Sequence, residues 1–240
     1  EVRARIAAEH EAARARREEN PEPAPQSAHF GSRCPICLEE WDVNERPTLR
    51  TCCCRQVCLS CHAKVRGEPC PLCRTPSSKS DQEALARLRR HVESELPEAI
   101  FELGHCYQHG KRGVSKSMKK AAKIYKRAVE LGNVDAMVNL GFLLETGDGV
   151  KLDVRKANQL YKMAAELGDA TAQYNLGNNN ARAGNFDAAF SYFKSSASQG
   201  YFNAFYGLGK CLENGYGVDR DLDEAKRWYA RVAAKGDEEA

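Results

Sequence analysis

From about residue 98 onward the sequence repeats itself, with Leu-Gly pairs recurring at intervals of 37, 36 and 32 residues. An alanine precedes each leucine by four residues, and a second series places an alanine four residues before an aromatic residue. Periods of 20–50 residues are typical of solenoids, so this feature restricts the fold more than any other. The pairs are Leu103-Gly104, Leu140-Gly141, Leu176-Gly177 and Leu208-Gly209 in the first series, and Ala121 with Tyr125, Ala157 with Tyr161, Ala189 with Phe193 and Ala225 with Tyr229 in the second.

Each period predicts two helices joined by a turn such as Gly147-Asp148-Gly149-Val150. Small residues let the paired helices approach closely, and the aromatic residue fills the space between them. A glycine follows each aromatic residue by seven positions and fits a helix C-cap with positive φ. One helix pair cannot bury its apolar face alone, so neighbouring pairs must stack. The sequence therefore predicts an all-α solenoid over residues 98–240, with four units at about 98–133, 134–169, 170–201 and 202–237.

The pattern of Ala, Leu-Gly, Gly-x-Gly-Val, Ala-x-x-x-Tyr and closing Gly resembles the Sel-1-like repeat, a relative of the tetratricopeptide family. The third unit departs from it, because Arg182-Ala183-Gly184-Asn185-Phe186 replaces the Gly-x-Gly-Val turn. The resemblance implies a right-handed helical solenoid whose concave surface holds a segment of another protein. An unknown protein partner for the array is therefore expected.

Nine of the eleven cysteines lie between Cys34 and Cys73, and six of them form three pairs with two residues between the partners. Such clustering favours metal over a disulfide framework and indicates a reducing compartment, the cytoplasm or the nucleus. A segment of this size cannot bury enough surface to fold unaided, and each structural zinc site supplies about 10–16 kcal/mol. Four cysteine pairs satisfy two tetrahedral Zn²⁺ ions. Three pairs have the Cys-x-x-Cys spacing, and the triplet Cys52-Cys53-Cys54 can supply the fourth.

Residues 31–76 resemble an all-cysteine RING finger, a small cross-brace zinc fold. The resemblance implies that the first and third cysteine pairs hold one ion, and the second and fourth pairs the other. A sequential arrangement, first pair with second, stays open. Arg55 stands where RING fingers commonly carry histidine, so the second pair comes from the triplet Cys52-Cys53-Cys54. Cys53 keeps the usual five-residue interval to Cys58, which favours Cys52 with Cys53, and Cys52 with Cys54 is the alternative pair. The ligands that the resemblance implies are therefore Cys34, Cys37, Cys52, Cys53, Cys58, Cys61, Cys70 and Cys73.

The RING resemblance implies a ubiquitin-protein ligase, which recruits a ubiquitin-conjugating enzyme and forms no covalent intermediate. Ile36, Pro71 and Leu72 match the apolar contacts for that enzyme, and Arg74 matches the position of the cation that bridges it to ubiquitin. Against activity, the spacer before Cys70 has only eight residues and lacks a tryptophan. The alternative function is a non-catalytic scaffold in which zinc serves stability and the repeats serve assembly.

The remaining segments are interpreted from composition. Residues 1–30 are predicted to form a charged helix followed by a Pro-rich lead-in. Residues 77–97 are predicted to form a linker with a connecting helix. A net charge of +3 is too mild to indicate nucleic-acid binding. The sequence contains no run of about 18 apolar residues, so no membrane span is predicted.

Overall fold

A computed structural model describes residues 48–50, 55–57, 70 and 75–238, with side chains in the last helix described as far as residue 234. The predicted lead-in at 1–30 lies outside the described residues. The described elements are one antiparallel hairpin and a run of helices. They are β1 (Thr48–Arg50), β2 (Arg55–Val57), α1 (Asp81–Glu93), α2 (Pro97–His109), α3 (Met118–Glu130), α4 (Val134–Thr146), α5 (Val154–Glu166), α6 (Ala170–Arg182), α7 (Phe186–Ser198), α8 (Phe202–Asn214) and α9 (Leu222–Glu238).

The helices form the predicted solenoid of helix pairs. In each unit the first helix carries the Leu-Gly pair and is called the A helix here (α2, α4, α6 and α8). The second carries the aromatic residue and is called the B helix (α3, α5, α7 and α9). Each A helix packs on the B helix of its own unit, and each B helix packs on the next A helix. This confirms the all-α helical-repeat prediction for residues 98–238.

The glycine of each Leu-Gly pair seats the aromatic ring of the following B helix. A Cβ atom built on Gly141 would lie 2.6 Å from Cε1 of Tyr161, closer than real carbon contacts allow. Tyr161 is itself fully buried, so its ring cannot move aside without opening the core. The helix pair therefore needs a residue without a side chain at this crossing. The same 2.6 Å approach recurs between Gly104 and Tyr125, Gly177 and Phe193, and Gly209 and Tyr229.

The second glycine of the Gly-x-Gly-Val turn serves the stacking of one unit on the next. Gly149 has φ +73°, and a Cβ atom on it would lie 2.5 Å from the carbonyl carbon of Met118, the first residue of α3. In the fourth unit, Gly217 approaches the carbonyl oxygen of Phe186, the first residue of α7, in the same way. These turns therefore rest directly on the start of the preceding B helix.

Capping explains where several helices begin. Ser117, Asn133, Asp153 and Asp169 each accept a hydrogen bond from the backbone N–H three residues on. The closing glycine adopts φ +82° at Gly132, as the sequence predicts. Positive φ is also found at Gly168 and Gly200, whereas Gly236 lies inside α9, so the fourth closing glycine does not end its helix.

The helix predicted as a connecting segment is a B helix in its own right. Ala84 and Leu88 of α1 precede Ala121 and Tyr125 of α3 by 37 residues, and both are buried. Glu95 holds the place of the closing glycine and adopts φ +53°, the left-handed conformation of that glycine. Helix α1 packs on α2 as later B helices pack on their following A helices. The array therefore begins with a half-unit, a feature the sequence analysis missed because leucine and glutamate replace the tyrosine and glycine.

Candidate binding surfaces

The side chain four residues after each Leu-Gly glycine determines how the B-helix aromatic residue is held. Tyr161 Oη donates to Glu145 Oε2 over 2.9 Å, and Tyr229 Oη donates to Glu213 Oε2 over 2.8 Å. Burial, and then the charge of Glu145, raises the pKa of Tyr161 well above its usual range, so the phenol stays protonated as the donor. In the first unit, Tyr125 Oη donates over 2.5 Å to Gln108 at the same position. The hydroxyl thus fixes the aromatic ring against its A helix.

Along the A helices, three positions line up one turn apart and form a surface called the A face here. They lie three residues before, one residue after and five residues after the Leu-Gly glycine. The first of these positions, three residues before the glycine, packs against the B helix, as Tyr206 does on Tyr229 with ring centroids 5.7 Å apart. The residues at this position on α2 and α4, Phe101 and Val138, are buried. The A face consists of Phe101, His105 and His109 on α2, Val138, Phe142 and Thr146 on α4, Tyr174, Asn178 and Arg182 on α6, and Tyr206, Lys210 and Asn214 on α8.

The A face exposes large aromatic side chains. Phe142 on α4 is 50 % exposed and Tyr206 on α8 is 54 % exposed. Between them, α6 contributes Tyr174 and Asn178, which are half-buried. Lys210 Nζ lies 5.6 Å from the centroid of the Tyr206 ring. Aromatic side chains with a polar surround are the usual anchors of protein interfaces.

A groove lies between α1, α2 and α3 and is called the α1–α3 groove here. Its volume is about 400 Å³. Apolar side chains from all three helices form its floor, and charged side chains stand at its rim. The floor consists of Val92, Ile100, Leu103, Tyr107 and Ile124, and the rim consists of Glu95, Lys120, Lys123 and Arg127.

Polar residues near the start of the array form an ion pair without the features of a catalytic site. Arg112 Nη1 lies 2.6 Å from Glu102 Oε1 and 3.4 Å from Cys106 Sγ. Burial raises the pKa of the Cys106 thiol, so a nucleophilic thiolate is not favoured there. The neighbouring rings of His105 and His109 lie 4.4 Å apart.

Most of the predicted zinc ligands and all the predicted conjugating-enzyme contacts lie outside the described residues. These are Cys34, Cys37, Cys52, Cys53, Cys58, Cys61, Cys73, Ile36, Pro71, Leu72 and Arg74, and their zinc-binding and recruiting roles stay predictions. Within residues 48–50, 55–57, 70 and 75–238, no group of three or more His, Cys, Asp or Glu side chains is placed to hold a metal ion.

Two described features lie within the segment predicted to form the zinc finger. Arg50 pairs with Arg55 at the end of the β1–β2 hairpin, so the four residues that join the strands include the cysteine triplet. Cys70 is buried, with 1 % exposure, and its backbone N–H donates to Thr75 O over 2.8 Å.

The stacked helix pairs and their surface of exposed aromatic residues define a helical-repeat scaffold for protein–protein interaction. The Sel1 repeat family model matches residues 97–133, 134–169, 170–201 and 204–237, together more than half of the chain. The chain therefore belongs to the Sel1-repeat family. Within the described residues, no helix combines the length and the apolar character that a membrane crossing requires.

Curated relatives share parts of the chain. Chitin synthase regulator SKT5 of Malassezia restricta is 30 % identical over 170 residues, which cover 66 % of this chain and 12 % of the relative. DAP3-binding cell death enhancer 1 of Rattus norvegicus is 49 % identical over 49 residues, which cover 20 % of this chain and 10 % of the relative. The chain thus spans about a tenth of the length of the curated relatives it matches.

Solved structures match the solenoid. The Sel1 repeat protein from Oxalobacter formigenes superposes with a TM-score of 0.61 at 34 % identity, covering 66 % of each chain. A protective antigen of uropathogenic Escherichia coli superposes with a TM-score of 0.63 at 27 % identity, covering 68 % of this chain and 35 % of the antigen.

Proposed function

We propose that the repeat array acts by holding a segment of a partner protein along the A face. The observation that carries this proposal is the exposure of Phe142 and Tyr206 on two A helices that flank α6. Exposure of these large apolar side chains does not stabilise the fold of the chain alone. Burying them against a partner would stabilise the complex by about 25 cal/mol per Å² of apolar surface. An occupant that contacts both side chains must cross α6 and its Tyr174 and Asn178.

Two named relatives support a role exerted through other proteins. One is named as a regulator of chitin synthase and the other as a DAP3-binding protein. Both names describe an effect on, or contact with, another macromolecule, and neither describes catalysis. The proposal for this chain is accordingly a scaffold, and its partner is a protein segment that carries apolar anchors.

The test is site-specific photo-crosslinking from the A face. A photoreactive phenylalanine analogue replaces Phe142 or Tyr206, and in a matched control it replaces Met163, which is 45 % exposed on the B helix α5. We expect the same partner to crosslink at Phe142 and Tyr206 but not at Met163. Phe142→Ala should then lower the affinity for that purified partner at least tenfold, as expected of a hot-spot aromatic side chain. Equal crosslinking from Met163, or an unchanged affinity, would contradict the proposal.

We propose second that residues 31–76 form a finger with two zinc ions, held by the eight predicted cysteines. The hairpin supports this. Three-residue strands are about 10 Å long. In the sequence the triplet lies between β1 and β2, and Cys58 comes directly after β2. A pair from the triplet and the Cys58 pair would then serve different ions. That separation suits the cross-brace arrangement and the sequential one equally. Bound zinc would supply the stability that so short a segment lacks.

Zinc stoichiometry by native mass spectrometry tests the finger. We expect two ions per chain and the loss of both in the double variant Cys34→Ala and Cys70→Ala. Cys211→Ala is the matched control, because Cys211 lies in the core of the array and should leave both ions in place. A wild-type chain that carries no zinc after preparation in zinc-containing buffer would exclude the finger.

We propose further that the finger recruits a ubiquitin-conjugating enzyme, with Ile36, Pro71 and Leu72 as its contacts and Arg74 as the bridging cation. The planar guanidinium of Arg74 suits two carbonyl-bearing surfaces better than an ammonium group does. Self-ubiquitylation with a panel of conjugating enzymes tests this. We expect activity that Arg74→Ala abolishes without loss of zinc. A zinc-loaded chain that is inert across the panel leaves the non-catalytic scaffold as its function.

A further inference from the structure

We propose that the α1–α3 groove is a second docking surface, which binds an acidic amphipathic segment of a partner protein. It is separate from the A face. At 100° per residue, the groove residues Ile100, Leu103 and Tyr107 lie on nearly the opposite side of α2 from Phe101, His105 and His109. The two surfaces can therefore be occupied independently.

The floor of the groove provides the apolar part of the site. Ile100, Leu103 and Tyr107 are spaced three and four residues apart on α2 and form one stripe. Val92 of α1 and Ile124 of α3 extend the stripe to both sides. A stripe of this kind accepts an amphipathic helix that presents apolar residues at the same spacing.

The rim supplies the charge that specifies the partner. Lys120, Lys123 and Arg127 stand on α3 along one edge of the groove. Helix α3 carries five basic residues and a single acidic one, Glu130. The positive rim is thus complementary to carboxylates that flank the apolar residues of a bound segment.

Within the groove, one internal carboxylate occupies the rim. Glu95 pairs with Arg127 across the end of the groove, and both side chains are about half exposed. Glu130, which does not line the groove, also lies 3.1 Å from the Arg127 guanidinium. Exposed ion pairs contribute little, since solvent screens them, so a carboxylate from a partner can replace Glu95 at small cost. Glu95 therefore acts as a competitor for the basic rim.

The basic rim belongs to the first unit and is not a general feature of the repeat. Lys120, Lys123 and Arg127 correspond to Lys156, Gln159 and Met163 in the second unit. In the third unit the same positions carry Ala188, Ser191 and Ser195, and in the fourth they carry Glu224, Arg227 and Arg231. Three cations around an apolar floor are therefore found in the first unit and in none of the other three described units. The apolar floor favours a peptide over a nucleic acid, because base-stacking aromatic residues do not line the groove beyond Tyr107.

Fluorescence anisotropy with the full chain tests the proposal. The probe is a labelled peptide of about 13 residues, the length of α3, with leucines at spacings of three and four and glutamates between them. We expect saturable binding that weakens as salt is raised, because salt screens exposed charges. Lys123→Glu should weaken binding on the order of tenfold, and Glu95→Gln should strengthen it about threefold, because it removes one of the two carboxylates that pair with Arg127. A merely structural effect would not move affinity in opposite directions in these two variants.

Two controls make the result decisive. Lys126→Glu places the same charge change on α3 outside the groove and should leave binding within about twofold of wild type. A peptide with serines in place of the leucines should not bind. If Lys126→Glu weakens binding as much as Lys123→Glu, or if the serine peptide or a single-stranded RNA binds as well as the leucine peptide, the surface is a general polyanion site and the proposal is overturned. Absence of saturable binding overturns it as well, and leaves the A-face proposal untouched.

Discussion

The hydroxyl of Tyr161 donates a hydrogen bond of 2.9 Å to the carboxylate of Glu145, on the A helix whose Gly141 seats the Tyr161 ring. In the third unit both members of this pair change together. Phe193 takes the place of the tyrosine, and Ala181 takes the place of the glutamate. A ring without a hydroxyl needs no acceptor, so the exchange keeps the buried polar groups satisfied.

A double-mutant cycle should expose this coupling. Glu145→Ala leaves the buried Tyr161 hydroxyl without its acceptor and should cost about 1–3 kcal/mol of unfolding free energy. Adding Tyr161→Phe removes the hydroxyl that has lost its acceptor, and it reproduces the phenylalanine and alanine found at these two positions in the third unit. We therefore expect the double variant to be more stable than Glu145→Ala alone, as measured by urea denaturation. Additive costs of the two changes would contradict the coupling.

That cycle has its own control, because Glu145 also pairs with Arg182 over 2.6 Å. The Arg182 side chain is largely exposed, so Arg182→Ala should cost no more than about 1 kcal/mol. A larger loss in Arg182→Ala would assign the stability to the ion pair and not to the hydroxyl.

Gly141→Ala should destabilise the second unit by about 1–3 kcal/mol, because the new Cβ atom meets the Tyr161 ring at 2.6 Å in a packed core. The usual preference of helices for alanine over glycine acts in the opposite direction, by about 1 kcal/mol. Thermal unfolding followed by circular dichroism measures the balance. Lys162→Ala, an exposed change next to Tyr161, should stay within about 0.5 kcal/mol of wild type. A Gly141→Ala variant as stable as that control would show that the ring can move.

Leu88→Ala should destabilise the array by about 2–5 kcal/mol, although the residue lies before the first matched repeat. Leu88 is fully buried, and it holds in α1 the position of Tyr125 in α3. Urea denaturation of this variant is compared with Leu152→Ala, since Leu152 is exposed in a turn and should matter little. If both variants unfold like wild type, α1 does not serve as the first half-unit of the solenoid.

Cys211 should resist alkylation in the folded chain. Burial raises the pKa of its thiol to about 11, so near pH 8 only about one molecule in a thousand carries the reactive thiolate. Iodoacetamide labelling with peptide mass spectrometry should show Cys211 protected at pH 8 and labelled after denaturation. Rapid labelling of Cys211 in the folded chain at pH 8 would contradict its burial.

The same shift makes stability depend on alkaline pH. The folded thiol keeps its proton above the pKa of the unfolded thiol, near 9, whereas the unfolded thiol loses it. Stability is therefore fully present below about pH 9 and falls as pH rises toward about 11. Cys211→Ser removes this ionisation and should flatten that part of the stability profile.

Helix α1 shows the limit of pattern recognition along the chain. Ala84 and Leu88 keep the spacing of the later units. A leucine in place of the aromatic residue does not by itself indicate the repeat, however, and Glu95 replaces the closing glycine. Only the φ of +53° at Glu95 shows that the backbone follows the glycine conformation without the glycine. A repeat is easy to detect where a residue type is sterically required and hard to detect where several types suffice.

The amino-acid sequence by itself determined the helical repeat, its register and the positions of the turns. It did so because a glycine packed under an aromatic ring or held at positive φ can be replaced by few other residues, so it recurs at a regular interval. Three features became visible only in the tertiary structure. They are the hydrogen bonds of the B-helix tyrosine hydroxyls, the half-unit formed by α1, and the basic rim over an apolar floor. The hydroxyl hydrogen bonds join residues 16 or 17 positions apart, as from Glu145 or Gln108 to a tyrosine, and the groove brings together residues as distant as Val92 and Arg127, 35 positions apart. Such contacts depend on how the helices stack. The stacking is determined by side-chain packing between units, which a local sequence pattern does not predict.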